Sequence, residues 1–501
     1  MEIELKLSLP ATAVDALKAD PLLAKARKTR KRLDNIYFDT PDHALAQARI
    51  GLRLRKDGRR WLQTVKSGGS AQAGLHQREE IEFAVSGKAL EWAPLAGTAF
   101  EVVLEPLRQQ LAPQFRTLFT RDIRRLTGAS GADIELAIDQ GEIIAGKNRK
   151  RREAICELEL ELKSGSVDDL FELALALASR HPLVLSNRNK AERGDALARD
   201  LPPGAPVKAA DVLLPPDADA PTAARLAIEN CLTHWQANEA GFLAPTAADG
   251  YDSEYLHQLR VSVRRLRVAG DPFARLAGWQ ADTLALVKGP LRQLGQQLGA
   301  ARDWDVFIEE TWPVLRAALD DAAARTTLQE AIDLRRDLAH REAHAALESR
   351  ETQRVLLLLN RCLAGGTPVA DDAADRSFDG LNSQLDDYRH AWTQGLQELE
   401  QLKPRRLHAL RIIAKKIRYL TEFTASRYDA EAVEQWLKWL KKAQDVLGSR
   451  NDHRAAAARI DGLCEAIGKR HGKLKRTLHA ALEARAWPEL DLAPLPGPYW
   501  R

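Results

Sequence analysis

The chain reads as a multidomain α+β protein: an N-terminal antiparallel barrel of eight or so strands, then an all-α region of two related helical bundles. Three observations predict this. Alternating apolar and polar segments dominate residues 1–200, and such alternation calls for period-two structure. A proline-rich stretch then interrupts the chain. Beyond it one helical pattern occurs twice. At 501 residues the chain exceeds one ordinary domain.

Met1–Leu7 sets the pattern of the first part. Ile3, Leu5 and Leu7 fall on one side of an extended strand, and Glu2, Glu4 and Lys6 on the other. A solvated surface strand reads the same way. Cys156–Leu162 repeats the alternation with Glu157, Glu159 and Glu161 on one face. Carboxylates on neighbouring strands repel unless cations lie among them. Between these two stretches, Ala11–Ala19 reads as a short helix. Asp34–Asp39, Ile50–Lys56, Arg60–Lys66 and Leu75–Val85 read as strands, with a turn at Gly58. Phe100–Phe119 is helix-like, broken at Pro106 and Pro113. Thr120–Leu126, Asp133–Asp139 and Ile155–Leu162 follow as strands, with a hairpin turn expected at Asp139-Gln140-Gly141. Ser166–Arg180 is a helix capped by Ser166 with Asp168 and Asp169 in its first turn. Closing these strands into a barrel removes exposed sheet edges.

The polar faces carry a second message. Arg53 and Arg55 share a face, as do Thr64 and Lys66, and Arg78, Glu80 and Glu82. Glu135 pairs in this sense with Asp139, and Arg121 with Arg125, while Arg124 points the other way. If the apolar faces pack under outer helices, the barrel interior is charged. Such an interior needs ions and a ligand to neutralise it. Carboxylates beside Arg and Lys suit a metal-bound polyanion.

Glu2-x-Glu4-x-Lys6 at the N-terminus resembles the ExExK signature of the CYTH superfamily, the triphosphate tunnel metalloenzymes. Tyr37-Phe38-Asp39-Thr40, Arg53-Leu54-Arg55, Lys66, Arg78, Glu135 to Asp139, Glu157-x-Glu159-x-Glu161 and Lys190 follow in order. The resemblance implies an eight-stranded antiparallel tunnel that binds triphosphate groups with Mg2+ or Mn2+. It assigns Glu2, Glu4, Glu157, Glu159 and Glu161 to the metal. It assigns Lys6, Arg53, Arg55, Lys66, Arg78, Arg125 and Lys190 to phosphate oxygens, with Arg121 and Arg124 as rivals of Arg125. Inorganic triphosphatases, nucleoside- and thiamine-triphosphatases and one class of adenylate cyclase share the fold.

Residues 201–220 form a Pro-rich linker, and 221–490 a helical domain with a loose tail at 491–501. The helical repeat is His257-x-x-Arg260-x-x-x-Arg264-x-x-Arg267 and His408-x-x-Arg411-x-x-x-Lys415-x-x-Arg418. Each copy puts one basic stripe on one helix face. About 45 residues later each has a second shared element, Leu298–Asp305 and Leu447–His453. A single stripe is an ordinary solvated face. Two facing stripes repel unless an anion lies between them. This half resembles the CHAD domain, which binds inorganic polyphosphate; the resemblance assigns these eight residues to that ligand. The two histidines also read as structural caps. His340 and His344 have metal-ligand spacing but no third ligand, so a surface helix is the reading there.

Charge and composition narrow the classes. Lys+Arg 74 against Asp+Glu 70 leaves +4, so basic sites must come from local clustering. Cys156, Cys231, Cys362 and Cys464 form no CxxC, which argues against disulfide scaffolds and cysteine-zinc sites. No signal sequence or apolar run of membrane-spanning length is present, so a soluble cytoplasmic protein without a membrane partner is expected. Tripolyphosphate is the expected substrate, yielding pyrophosphate and phosphate. A polyphosphate-binding adaptor with an inactive tunnel is the alternative from another class. Nucleic acid is the weaker partner candidate, because no basic strand is interleaved with aromatics. Oligomeric state is not legible in the sequence.

Overall fold

The computed structural model describes residues 2–24, 26–67, 69–72, 75–146, 150–244, 252–270, 281–364, 378–397, 404–467, 472–484 and 495–501. The chain forms two compact units, residues 1–205 with 348–367, and residues 206–347 with 368–501.

The first unit is one antiparallel sheet. Its strands are β1 (Glu2–Ser8), β2 (Lys28–Asp39), β3 (Gly51–Asp57), β4 (Arg60–Lys66), β5 (Ser70–Gln72), β6 (Leu75–Arg78), β7 (Glu80–Val85), β8 (Ala112–Thr127), β9 (Asp133–Ala145), β10 (Arg151–Ser164) and β11 (Val184–Leu185). They lie in the order β5-β6-β1-β10-β9-β8-β2-β3-β4-β7, with β11 also on β1. Eleven strands thus replace the eight expected. The stretch Leu75–Val85, read as one strand, breaks at Glu79: β6 pairs with β1 and β7 with β4. Glu79 thus links β7, at one end of the strand order, to β6, the strand next to the other end. Among the described residues no ladder joins β7 to β5 or β6.

Two further expectations are corrected. The helix in Phe100–Phe119 stops early, since Pro106 and Pro113 deny it backbone donors. Only Ala99–Leu104 is α-helical, and β8 begins at Ala112. Pro113 sits where the β2–β8 register shifts, a position that tolerates a missing N–H. Gly141 does not turn the chain, because β9 runs straight through it. A Cβ there would meet the Leu118 carbonyl at 2.0 Å, so this glycine permits close strand approach.

Register gathers the charges. Glu4 lies opposite Glu161, Glu161 opposite Glu135, and Glu135 opposite Arg125. One pleat deeper, Lys6 opposes Glu159, and deeper still Glu157 opposes Asp139, which opposes Arg121. Since side chains alternate faces, all these share the concave face. Leu5, Leu7, Leu158 and Leu160 take the convex face and are fully buried.

The helices of this unit are α1 (Val14–Lys18), α2 (Ala44–Gln47), α3 (Ala99–Leu104), α4 (Val167–Ala178) and α5 (Lys190–Arg199). The Ser166 hydroxyl accepts from Asp168 N–H and caps α4, as its sequence predicts.

The other helices are α6 (Ala220–Leu243), α7 (Ser253–Ala269), α8 (Ala281–Val306), α9 (Trp312–Ala317), α10 (Ala322–Leu347), α11 (Arg350–Leu363), α12 (Phe378–Gln397), α13 (Pro404–Thr424), α14 (Ala430–Ile467) and α15 (Gly472–Glu483). Of these, α11 belongs to the sheet unit. Both basic stripes lie on single helices, α7 and α13, and both later elements on the helices that pack against them, α8 and α14. Among the described residues no helix is long and apolar enough to cross a membrane.

The ends of the helical region are fastened. Within the Pro-rich stretch, Val207 N–H donates to Asn238 at 2.9 Å and Val212 is buried. The tail is not loose over 495–501. Tyr499 and Trp500 are buried beside Trp436, the Tyr499 hydroxyl donates to Thr421 at 2.9 Å, and Arg501 pairs with Asp386. Two aromatic side chains outweigh the cost of ordering a proline-rich segment. His340 and His344 lie half-buried on α10, which is largely exposed, as the surface-helix reading expects. His340 Nε2 lies 2.9 Å from the buried Asp305, and the His344 ring is 4.3 Å from Phe242.

Candidate active site and anion-binding helices

The concave face encloses a cavity of about 400 Å³. Lys6, Arg53, Arg55, Lys66 and Lys190 line it, and so do Glu4, Glu159 and Glu161. Each cation is matched. Lys6 Nζ is 2.7 Å from Glu4 and 2.8 Å from Glu159. Lys66 Nζ is 2.8 Å from Glu80, Arg53 is 3.9 Å from Glu80, and Arg55 is 3.6 Å from Glu82. Burial pushes the Glu4 carboxyl up, as does Glu159, yet Lys6, by charge and hydrogen bond, and Lys66 together hold the pKa at about 2. Glu159 is also driven up by burial, but Arg121, Lys190 and Lys6 together hold it well below the usual carboxylate range. Burial lowers Arg55, with Arg53 and Arg121 adding to it, to about 10. Cations and carboxylates thus alternate along the wall and offset one another's burial.

Helix α5 closes one part of this wall. Asn189 caps it, accepting from Ala191 and Glu192 N–H while Glu192 returns the bond. That cap aims Lys190 and Arg193, one turn apart, at the concave carboxylates. Lys190 Nζ lies 2.7 Å from Asp139 and 2.9 Å from Glu159, and also contacts Glu157; Arg193 is 3.5 Å from Glu157.

Two assignments move. Arg125 is not on the cavity wall: its side chain is 51% exposed and pairs with Asp133 at 2.6 Å and Glu135 at 3.4 Å. It lies four residues beyond Arg121, roughly 13 Å along the strand, and so reaches the rim. Arg121 occupies the interior, 2.6 Å from Asp139 and in contact with Glu159. Arg124 is on the convex face, bonded to the Lys18 carbonyl at 3.0 Å. Glu157 is buried beneath α5, outside the residues lining the cavity, and anchors Lys190 and Arg193. Glu2 and Arg78 face each other across β1 and β6 in the backbone ladder; their side chains lie outside the described ones.

Carboxylate oxygens suit a hard divalent ion. Asp139, Glu157 and Glu159 bring theirs within 4.8 Å of one another, but the Lys190 ammonium already sits among them. Glu4, Glu159 and Glu161 line the cavity itself, with Lys6 between Glu4 and Glu159.

In the helical unit α7 packs against α13. Burial, then the charges of Arg264, Arg411 and Arg260, push the Lys415 ammonium down to about 6. Arg260 is 3.2 Å from Asp303, which also pairs with Arg459 at 3.2 Å. Arg411 keeps a buried Nε without a hydrogen-bond partner. Arg260, Arg264, Arg411 and Lys415 therefore form one cationic nest. The other four stripe residues stand apart. Arg418 is neutralised by Glu422 at 2.7 Å, Arg267 and His408 are exposed, and His257 is half-buried. Burial holds His257 below its usual pKa; Glu254 opposes this, and Arg302, Arg264 and Arg260 reinforce it.

Residues 1–194 match the CYTH domain family and residues 226–461 the CHAD domain family. This is a CYTH–CHAD protein. Its CYTH part is 34% identical over 198 residues to the inorganic triphosphatase of Haemophilus influenzae, covering 38% of this chain and 54% of that one. The chain thus spans about half the length of that relative. An uncharacterized protein of Mycobacterium tuberculosis is 28% identical over 449 residues, 84% of this chain and 80% of its own. The crystal structure of the CHAD domain from the plant Ricinus communis covers 56% of this chain and 91% of that chain, at 29% identity and a TM-score of 0.44.

The sequence reading of the CYTH domain left Arg193 out. Its signal was present in Asn189-Lys-Ala-Glu192-Arg193, a capping box that aligns Lys190 with Arg193. The geometry also ranks the rival arginines. Arg121→Ala should lower kcat/KM for a triphosphate substrate about 100-fold, the loss expected for a buried cation at developing phosphate charge. Arg125→Ala should stay within about 2-fold, as for an exposed ion pair. Steady-state phosphate release by the two variants checks the ranking; equal losses would return Arg125 to the site.

Proposed function

We propose that the CYTH domain is a metal-dependent inorganic triphosphatase that hydrolyses tripolyphosphate to pyrophosphate and phosphate, and that the CHAD domain binds inorganic polyphosphate. The observation that carries the first reading is the enclosed cavity in which Lys6, Arg53, Arg55, Lys66 and Arg121 interleave with Glu4, Glu159 and Glu161. Phosphoryl transfer asks chiefly for positioning and charge neutralisation, which such a wall supplies. In this reading Lys66, Arg53 and Arg55 exchange Glu80 and Glu82 for phosphate oxygens. Lys6 and Lys190 keep Glu159 ionised, and Arg121 orients it. Glu4, Glu159 and Glu161 would hold Mg2+ or Mn2+. Such an ion neutralises phosphate charge and lowers the pKa of a water molecule. Water then attacks the terminal phosphorus, the P–O–P bond breaks, and pyrophosphate leaves with a proton released. Four free cysteines accord with a reducing, cytoplasmic setting.

The test is phosphate release from tripolyphosphate, ATP and thiamine triphosphate, each with Mg2+, with Mn2+ and with chelator. Turnover of tripolyphosphate well above the other two, abolished by chelator, is the expected result. Preference for ATP or thiamine triphosphate would move the protein to the nucleoside- or thiamine-triphosphatase reading. No turnover on any substrate would leave a polyphosphate-binding adaptor.

A further inference from the structure

One edge of β1 is covered by β6 and β11, and the outer side of β11 is met from beyond residue 205. β6 covers Glu2–Leu5 on that edge, and β11 covers Leu7 and Ser8. Between them the Lys6 carbonyl accepts from Ser186 N–H at 2.9 Å. Successive N–H groups of a strand point to opposite sides, so Leu185 N–H faces away from β1. Among the described residues β11 pairs with no second strand. Leu185 N–H donates instead to Gln353 Oε1 at 2.9 Å, in a buried contact, and Gln353 is 1% exposed. Gln353 lies on α11, which packs on α4 and β11. The same helix is locked by Arg361, whose guanidinium donates to Asp168 at 2.5 and 2.7 Å and to Glu172 at 3.0 Å. Val355, Leu356, Leu357 and Leu359 are buried. The chain therefore returns at Glu348 to the sheet unit it left at Ala205. It does so beside the strand that holds Lys6 on one side and leads within five residues to Lys190.

We propose that Gln353 is a positioning residue of the tunnel: by satisfying the outward N–H of β11 it fixes the strand that sets Lys6 and Lys190 against Glu159. The positioning residue comes from residues 348–367, a segment of the CHAD sequence that belongs to the sheet unit. The proposal rests on the triphosphatase reading for its kinetic arm only.

The experiment uses the full chain with Gln353→Met, which keeps length but removes the amide oxygen, and Gln353→Glu, which restores an acceptor. Amide exchange followed by mass spectrometry is read over residues 183–190 and, as control, over β9. For Gln353→Met, exchange over 183–190 is expected to quicken about 10-fold with β9 unchanged. Its kcat/KM for tripolyphosphate should fall about 10-fold, the cost of a small misplacement of reacting groups. Gln353→Glu should recover most of both. Unchanged kinetics in Gln353→Met, or faster exchange spread equally over β9, overturns the positioning role. If the parent protein turns over no triphosphate, the functional reading has failed separately. Tripolyphosphate affinity by calorimetry then replaces kcat/KM, with the same expected loss in Gln353→Met.

Discussion

Glu159→Gln is expected to cost at least about 100-fold in kcat on tripolyphosphate, while tripolyphosphate binding measured in chelator holds or tightens. The split follows from where Glu159 sits. Its Oε1 accepts from Lys6 at 2.8 Å and Lys190 at 2.9 Å, and Arg121 contacts the other oxygen. Removing its charge leaves three buried cations short of a counter-ion. The cavity becomes more positive, which favours an anion, yet it loses a carboxylate facing the position a metal would take. Breaking a buried ion pair also destabilises, by about 3–5 kcal/mol, so folding must be checked by thermal denaturation. Glu161→Gln gives a second handle. Its carboxylate faces the cavity and pairs with Lys163 at 2.5 Å near the opening, so it should lose turnover about 10-fold with little loss of stability. Parental turnover in folded Glu159→Gln would remove the carboxylates from the metal-holding role.

Polyphosphate affinity of the CHAD domain is expected to weaken as pH rises from 6 to 8, by up to about 10-fold per pH unit. The sign follows from Lys415. Burial and then Arg264, Arg411 and Arg260 depress its pKa to about 6 in the free protein. A bound polyanion reverses that repulsion and raises it again. Below pH 6 the ammonium is already charged and binding takes up no proton. Between the free and bound pKa values each binding event takes one up, so affinity falls with rising pH. Asp452 from α14 acts against the depression of Lys415, while Asp303, beside Arg260, opposes that of Arg260 and Arg411. Lys415→Arg, always charged, should bind polyphosphate with a flat profile over pH 6–8; Lys415→Ala should bind weakly, also with a flat profile. Titration of the full chain with polyphosphate across this range reads the slopes. A parental slope in Lys415→Arg would assign the proton to another group.

Much of the CYTH site was legible because strand faces are a local property. Glu4 and Lys6 share a face by counting alone, and so do Glu157, Glu159 and Glu161. The unbroken apolar complement, Leu5, Leu7, Leu158 and Leu160, told which face would be buried under helices. Depth along the cavity was not legible. Arg121 and Arg125 share a face, and only the pairing of β8 with β9 puts one opposite Asp139 and the other opposite Glu135. Glu157 carried the same local pattern as Glu159, but α5 covers one and leaves the other on the cavity. In the helical half, spacing predicted two stripes. Which four of eight residues converge depends on the crossing of α7 and α13.

By itself, then, the sequence determined the class of each half, the charged interior, the doubled basic stripe and most of the residue types that build the site. These follow from periods of 2 and 3.6 residues, which need no knowledge of distant partners. Tertiary structure alone decided that Arg121 rather than Arg125 enters the cavity, that Lys190 neutralises Glu157, that Lys415 is buried among Arg264, Arg411 and Arg260, and that Gln353 finishes a strand edge far away in the chain. Each of these depends on strand register, helix crossing or a return of the chain. Those are set by packing between segments distant in sequence, and no local pattern carries them.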